Sequence, residues 1–317
     1  PVSATDANGN RTGYTYDAAG NRTSIRYPDE SVVNYTYDKN HRLTAVTDAQ
    51  GNGTQYGYDA VGNLLTMIQP GNQASYTYNA NKMPVTAKYR TDDGAVMNVG
   101  LTYDSMGRIT GFNRQSTGAA PSGNIAYTYD PLGRLLSCTE GQKQNCYSYD
   151  ALGNRTAWKI NDIEKATYSY DAMNRMTDMM QDGTAYGYTY DHRGNLTEEK
   201  RADSLIRQYV YDAANRMITG KDLLNGAQSD YTYNALHMRI GNTVAYPGAE
   251  TPVIREITYI PDILSTANND LMAYHNGTGV TQAVYGRDYE RLGYTTTAGQ
   301  VYEMPDLWGS PLYSADS

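Results

Sequence analysis

Residues Asn34–Thr44 read NYTYDKNHRLT: two tyrosines flank a threonine, an aspartate follows, and a basic residue and a leucine close the phrase. Near-copies recur along the chain. The second Tyr falls at Tyr16, Tyr37, Tyr58, Tyr78, Tyr103, Tyr129, Tyr149, Tyr170, Tyr190, Tyr211 and Tyr233, spaced by 20–22 residues except for two wider gaps beside Tyr103. A period of this length marks a repeat architecture in which each unit buries its apolar face against its neighbours.

The four residues after the second Tyr decide the local structure. DAAG, DAVG, DSMG, DPLG, DALG and DHRG place Asp first and Gly fourth. Asp suits the first position of a type I turn, and Gly suits the left-handed residue that closes a three-residue hairpin loop. The turn aspartates are Asp17, Asp38, Asp59, Asp104, Asp130, Asp150, Asp171, Asp191 and Asp212, with Asn79 and Asn234 in the other two units. The fourth residues are Gly20, Gly62, Gly107, Gly133, Gly153 and Gly194, replaced by His41, Lys82, Asn174, Asn215 and His237 elsewhere. Asn and His tolerate positive φ better than most residues; Lys82 is the exception. Each unit therefore reads as a β-hairpin.

Counting from the turn Asp, this register sets the second Tyr opposite the sixth residue, as in Tyr37–Leu43, Tyr58–Leu64, Tyr129–Leu135 and Tyr190–Leu196. In Tyr16–Arg22, Tyr149–Arg155 and Tyr233–Arg239 it lays an arginine over that ring. It sets the residue between the tyrosines opposite the seventh, as in Thr15–Thr23 and Thr36–Thr44, and the first Tyr opposite a small eighth residue such as Ser24 or Ala45. Two tyrosines at i and i+2 share one face of a strand. The chain holds 32 Tyr and one Phe, so each ring is expected to bring a hydroxyl to water or to a buried partner as well as apolar bulk.

The phrase Y-x-Y-D-x-x-G, with Thr5–Asn10 (TDANGN) and Thr47–Asn52 (TDAQGN) as spacers, resembles the Rhs/YD-repeat family, which is related to the teneurin YD shells. The resemblance covers residues 1–245. Residues 246–317, with YIPDIL (Tyr259–Leu264) and VYEMPDLWGSPL (Val301–Leu312), resemble the degenerate end of such a core. It implies an all-β chain: tandem hairpins forming a curved or spiralling sheet strip, one segment of a hollow shell. It also implies partners, namely the rest of the same polypeptide shell and an enclosed C-terminal toxin domain, and a secreted or cell-surface location. The alternative is a surface adhesin in which exposed tyrosines stack on glycans. DPLGRLL at Asp130–Leu136 looks like a self-cleavage phrase of the family, but Pro131 suits the second position of a type I turn.

Other functions find little footing. The net charge of −8 gives no basic footprint for nucleic acid. No run is long and apolar enough for a membrane-spanning helix. DANGN lacks the sixth-position Gly and distal Glu of an EF-hand loop, so no metal or other cofactor is expected. His41 and His237 are turn residues, His192 follows a turn Asp, His275 lies in the divergent tail, and no phrase resembles a nucleophile elbow; the expectation is a protein without enzymatic activity. Seven N-x-[ST] sequons, at Asn10, Asn21, Asn34, Asn52, Asn154, Asn195 and Asn276, are mostly by-products of the repeat phrase.

The intervals 88–98 and 112–124 read as strand or loop extensions. Cys138 and Cys146 bracket the polar run TEGQKQN. A turn centred on Gln142 would make them direct cross-strand neighbours, close enough for a disulfide. Alternatively, Cys138 simply fills a column held in other units by Ile25, Val46, Met67, Phe112 and Trp158.

Overall fold

A computed structural model describes residues 2–6, 9–118, 122–247, 253–262, 270–275, 279–287, 291–296, 299–305 and 311–316. Among them are 29 β-strands, and every described pairing is antiparallel, between strands adjacent in chain order. The chain divides into two compact units. The first comprises Pro1–Gly100, Arg114–Ser122 and Ile257–Ser317; the second comprises Leu101–Asn113 and Gly123–Glu256.

The hairpin loops follow the turn chemistry. In the first repeat the Gly20 N–H donates to the Asp17 carbonyl at 3.2 Å, and the Asp17 N–H donates to the Asn21 carbonyl at 3.0 Å. The fourth residue of every loop has positive φ, from 60° at Asn174 to 97° at Gly62, and Lys82 conforms at 61°. In Asp130–Arg134 the Gly133 N–H likewise donates to the Asp130 carbonyl at 3.0 Å, which makes DPLGR a repeat turn.

The second Tyr faces the sixth residue in ten of the eleven units, among them Tyr37 facing Leu43, Tyr58 facing Leu64, Tyr170 facing Met176 and Tyr211 facing Met217. Beyond that pair the expected register is corrected by one residue. The middle residue faces the eighth (Thr15–Ser24, Thr36–Ala45), and the first Tyr faces the ninth (Tyr14–Ile25, Tyr35–Val46, Tyr147–Trp158). A bulge before the second Tyr opposes two residues to one. It still leaves the seventh hydroxyl within reach: the Thr15 hydroxyl lies 2.8 Å from that of Thr23 and 2.6 Å from that of Ser24. In units such as Tyr14–Ile25, Tyr35–Val46, Tyr56–Met67 and Tyr147–Trp158 the bulge turns a large ninth residue, not a small eighth one, against the first ring, which buries more apolar surface there.

The wide intervals lengthen strands. Pro84–Thr91 and Val96–Tyr103 form one eight-residue pair, and Ile109–Ser116 runs equally long. The expected disulfide is also corrected. Glu140 pairs with Lys143, Thr139 with Gln144, Cys138 with Asn145 and Ser137 with Cys146. The loop is therefore the two residues Gly141 and Gln142, not a turn centred on Gln142. Successive residues point to opposite faces, so the cysteines point away from each other, and both are free thiols.

Candidate functional site: the tyrosine face and the turn edge

The second tyrosines explain the near-absence of Phe. The Tyr37 hydroxyl donates to the Arg22 carbonyl at 3.0 Å, Tyr58 to Leu43 at 2.8 Å, Tyr149 to Leu135 at 2.8 Å and Tyr190 to Met176 at 2.8 Å. Tyr78, Tyr129, Tyr170 and Tyr233 do the same. The acceptor is always the sixth residue of the preceding unit, beside its bulge, where the ladder is disrupted. Eight hairpins thus satisfy a carbonyl that their neighbour's bulge leaves over. A phenylalanine has no atom for this.

Each turn carboxylate is saturated from its own loop. Asp171 Oδ1 accepts the backbone N–H groups of Met173 and Arg175 at 2.8 and 3.0 Å, and Oδ2 accepts Arg175 Nε at 2.7 Å. Those donors, the Arg175 N–H first and its side chain next, hold Asp171 below the usual carboxylate range. In Asp17 the Asn21 side chain is the main cause of the same lowering. The aspartates at 38, 59, 104, 130, 150, 191 and 212 are also lowered. Their oxygens serve the turn, and among the described residues no group of three His, Cys, Asp or Glu is placed to hold a metal ion.

Arginines stack along the same edge. The fifth-residue guanidinium lies over the second Tyr of the next unit: Arg42 over Tyr58, Arg134 over Tyr149 and Arg175 over Tyr190, each at 4.9 Å. Two of the sixth-residue arginines differ from expectation. Arg22 lies over Tyr14 and Tyr35, and Arg155 over Tyr147 and Tyr168, which are first tyrosines. The bulge swings them onto that row.

In the first unit the tyrosine face is covered by strands from the divergent tail. Tyr14 and Tyr27 are about fully buried. Tyr14 donates to Asp262 Oδ1 at 3.1 Å, Arg22 reaches Asp262 Oδ2 at 2.6 Å, and Tyr27 donates to the Ala283 carbonyl at 2.9 Å. From the other side, Tyr302 and Gln300 donate to the buried Asp48 carboxylate at 2.7 and 2.5 Å. Burial, and then the neighbouring Asp262, pushes the Tyr14 phenol well above its ordinary range; burial and Asp48 do the same to Tyr302. These tail residues were missed as site residues because nothing local in YIPDIL marks Asp262 as the partner of Tyr14. Asn276 and the phrase at 306–310 lie outside the described residues.

In the second unit the corresponding rings, Tyr127, Tyr147, Tyr168, Tyr188 and Tyr209, are half-buried. Cys138 stands in this row, opposite Asn145 and Tyr127. Tyr209 donates to Glu199 at 2.7 Å, and burial followed by that bond pushes its phenol up to about 12. Among the described residues no helix is long and apolar enough to cross a membrane.

Comparison with known proteins agrees with this geometry. The teneurin YD-shell family model matches residues 72–222, and the RHS repeat model matches residues 1–32 and 37–74. No curated protein matches. The crystal structure of TcdB2-TccC3 without its hypervariable C-terminal region superposes with a TM-score of 0.53 at 14% identity, over 91% of this chain and 19% of that one. The crystal structure of TcdB2-TccC3 superposes with a TM-score of 0.53 at 12% identity, over 99% of this chain and 23% of the other. The chain thus spans about a fifth of the length of these structures. Matched by two family models that between them cover most of its length, this chain of bulged tyrosine hairpins belongs to the Rhs/YD-repeat family.

Proposed function

We propose that this chain is a length of non-enzymatic shell wall in a secreted or surface-delivered bacterial protein, and that the wall encloses and shields a C-terminal toxin domain. The observation that carries the reading is the self-contained hairpin wall. Its turn carboxylates are spent within their own loops, and its eight bulge-capping hydroxyls and its stacked arginines on neighbouring repeats. That is the chemistry of a scaffold. The fold likeness to TcdB2-TccC3, a protein whose structure is known with and without a hypervariable C-terminal region, supports the same direction. The half-buried tyrosine row of the second unit gives such a wall one face suited to contact with polypeptide.

The experiment is limited proteolysis of the full-length protein that carries this chain. The expected result is that the segment following the chain resists protease while the wall is intact and is digested when the wall is unfolded by denaturant. A segment digested equally fast in both conditions overturns the proposal.

A further inference from the structure

At most turns the fifth residue is Arg or Asn, and it divides its donors between two loops. Arg42 gives Nε to its own Asp38 at 2.7 Å and Nη1 to the carbonyl of Asp59, the first residue of the next turn, at 2.9 Å. Arg108 reaches Asp130, Arg134 reaches Asp150 and Arg175 reaches Asp191 in the same way, at 3.1, 2.8 and 3.3 Å. Where the fifth residue is Asn, the amide divides too. Asn154 Nδ2 donates to its own Asp150 at 2.9 Å and to Asn174 Oδ1 of the next turn at 3.1 Å. Asn195 donates to Asn215 at 3.0 Å, and Asn21 Nδ2 meets His41 Nδ1 at 3.0 Å.

The acceptor in the Asn case is the fourth residue of the next turn, and its identity follows the donor. Of the five arginines at the fifth position, four (42, 108, 134 and 175) precede a turn with Gly fourth; Arg216 precedes His237 and still reaches the Asn234 carbonyl, at 3.3 Å. Of the four asparagines, three (21, 154 and 195) precede a turn with His or Asn fourth; Asn63 precedes Lys82, which has no acceptor. The physical reason is reach. An arginine spans the gap to the backbone carbonyl and passes over the fourth residue. A Cβ added at Gly133 would lie 3.8 Å from Arg108 Nη1, and one at Gly194 would lie 4.0 Å from Arg175 Nη1. Those contacts admit a Cβ, and a longer side chain narrows the path of the guanidinium without closing it, since Arg216 passes His237. An asparagine is too short to reach the carbonyl, so the next turn must extend a side-chain acceptor toward it.

We propose that at these seven junctions the fifth residue of one turn and the fourth residue of the next form a matched pair, Arg with Gly or Asn with Asn or His, and that this pair is an interaction surface by which one hairpin recognises its proper neighbour. Near-identical hairpins are prone to pair out of order, since misassembly between repeats is a characteristic failure of such chains. A matched edge adds discrimination that the repetitive ladder lacks.

The test is a pair of reciprocal double-mutant cycles in the whole chain, read by hydrogen exchange of the loop amides. One cycle converts a pair with Asn154→Arg and Asn174→Gly; the other uses Arg175→Asn and Gly194→Asn. Each single substitution breaks a pair and is expected to speed exchange of the receiving loop by roughly 2–10-fold, the scale of one net hydrogen bond. Each double variant is expected to return to within about 2-fold of the parent, because it restores a pair of the other type. The cycle also cancels the intrinsic effect of adding or removing Gly at positive φ. Double variants whose effects equal the product of the two singles overturn the proposal, as do single variants that exchange like the parent. The second cycle keeps the test open if a substitution in the first prevents folding.

Discussion

A tyrosine hydroxyl at the second ring position is worth a hydrogen bond and no more apolar area than Phe would supply. Tyr190→Phe leaves the Met176 carbonyl at the bulge without its donor. The expected cost is about 1 kcal/mol, because the site is partly exposed and water can replace the hydroxyl. Tyr27→Phe differs: the ring is fully buried and the Ala283 carbonyl it serves is on the covered face. There the loss is expected to be about 1–3 kcal/mol, with the larger value reflecting an unsatisfied buried acceptor. Denaturant unfolding of both variants beside the parent checks the order; equal costs would contradict it. At the fourth turn position Lys82 holds φ at 61°, a left-handed conformation that disfavours a Cβ. Lys82→Gly is expected to stabilise by about 1 kcal/mol, seen as a higher unfolding midpoint.

The hairpin is the element through which pH acts. Turn carboxylates held below their ordinary range, chiefly by Arg175 at Asp171 and by Asn21 at Asp17, favour the ionised form when folded. A depressed folded value contributes stability that is fully present above the unfolded carboxylate range near pH 4, and that is lost as pH falls through the lower folded values. Acid unfolding is therefore expected to begin below about pH 4 and to loosen the loops first, measured as faster hydrogen exchange there. Loops that stay protected to the lowest pH would contradict this. In the hairpin of Leu135–Glu140 and Lys143–Tyr149 the cysteines lie on opposite faces. Denatured, unreduced protein is expected to show two reactive thiols per chain.

Across the whole molecule the two compact units differ in how the tyrosine face is finished. In the first, tail residues Asp262, Gln300 and Tyr302 close over the repeats. Asp262→Ala strips both Tyr14 and Arg22 of a buried partner, and breaking such a pair costs about 3 kcal/mol or more. The loss of hydrogen-exchange protection is expected in Pro1–Gly100 and the tail, with the amides of Gly123–Glu256 unchanged. Equal loss in both units would contradict it. Alkali should act on the same unit. Burial, and after it Asp262 and Asp48, raises the phenols of Tyr14 and Tyr302, so their contribution is present below the unfolded phenol range near pH 10 and is lost as pH rises above it toward their folded values.

The repeat phrase alone determined the hairpins, the loop type, the positive φ at the fourth residue and the pairing of Tyr37 with Leu43, because all of these are settled by contacts within a few residues of the turn. It did not determine the bulge. The shift from Thr36–Thr44 to Thr36–Ala45 is favoured by a large ninth residue against the first ring and by the next hairpin's hydroxyl on the freed carbonyl, and the second of these belongs to another repeat. The cysteine register failed for a related reason: Gly141 at φ 57° permits a two-residue loop, which moves every pair beyond it by one. Which face is covered was decided by tertiary structure alone. Tyr14 meets Asp262 across 248 residues and Asp48 meets Tyr302 across 254, and a period of about 20 residues contains no trace of partners that distant.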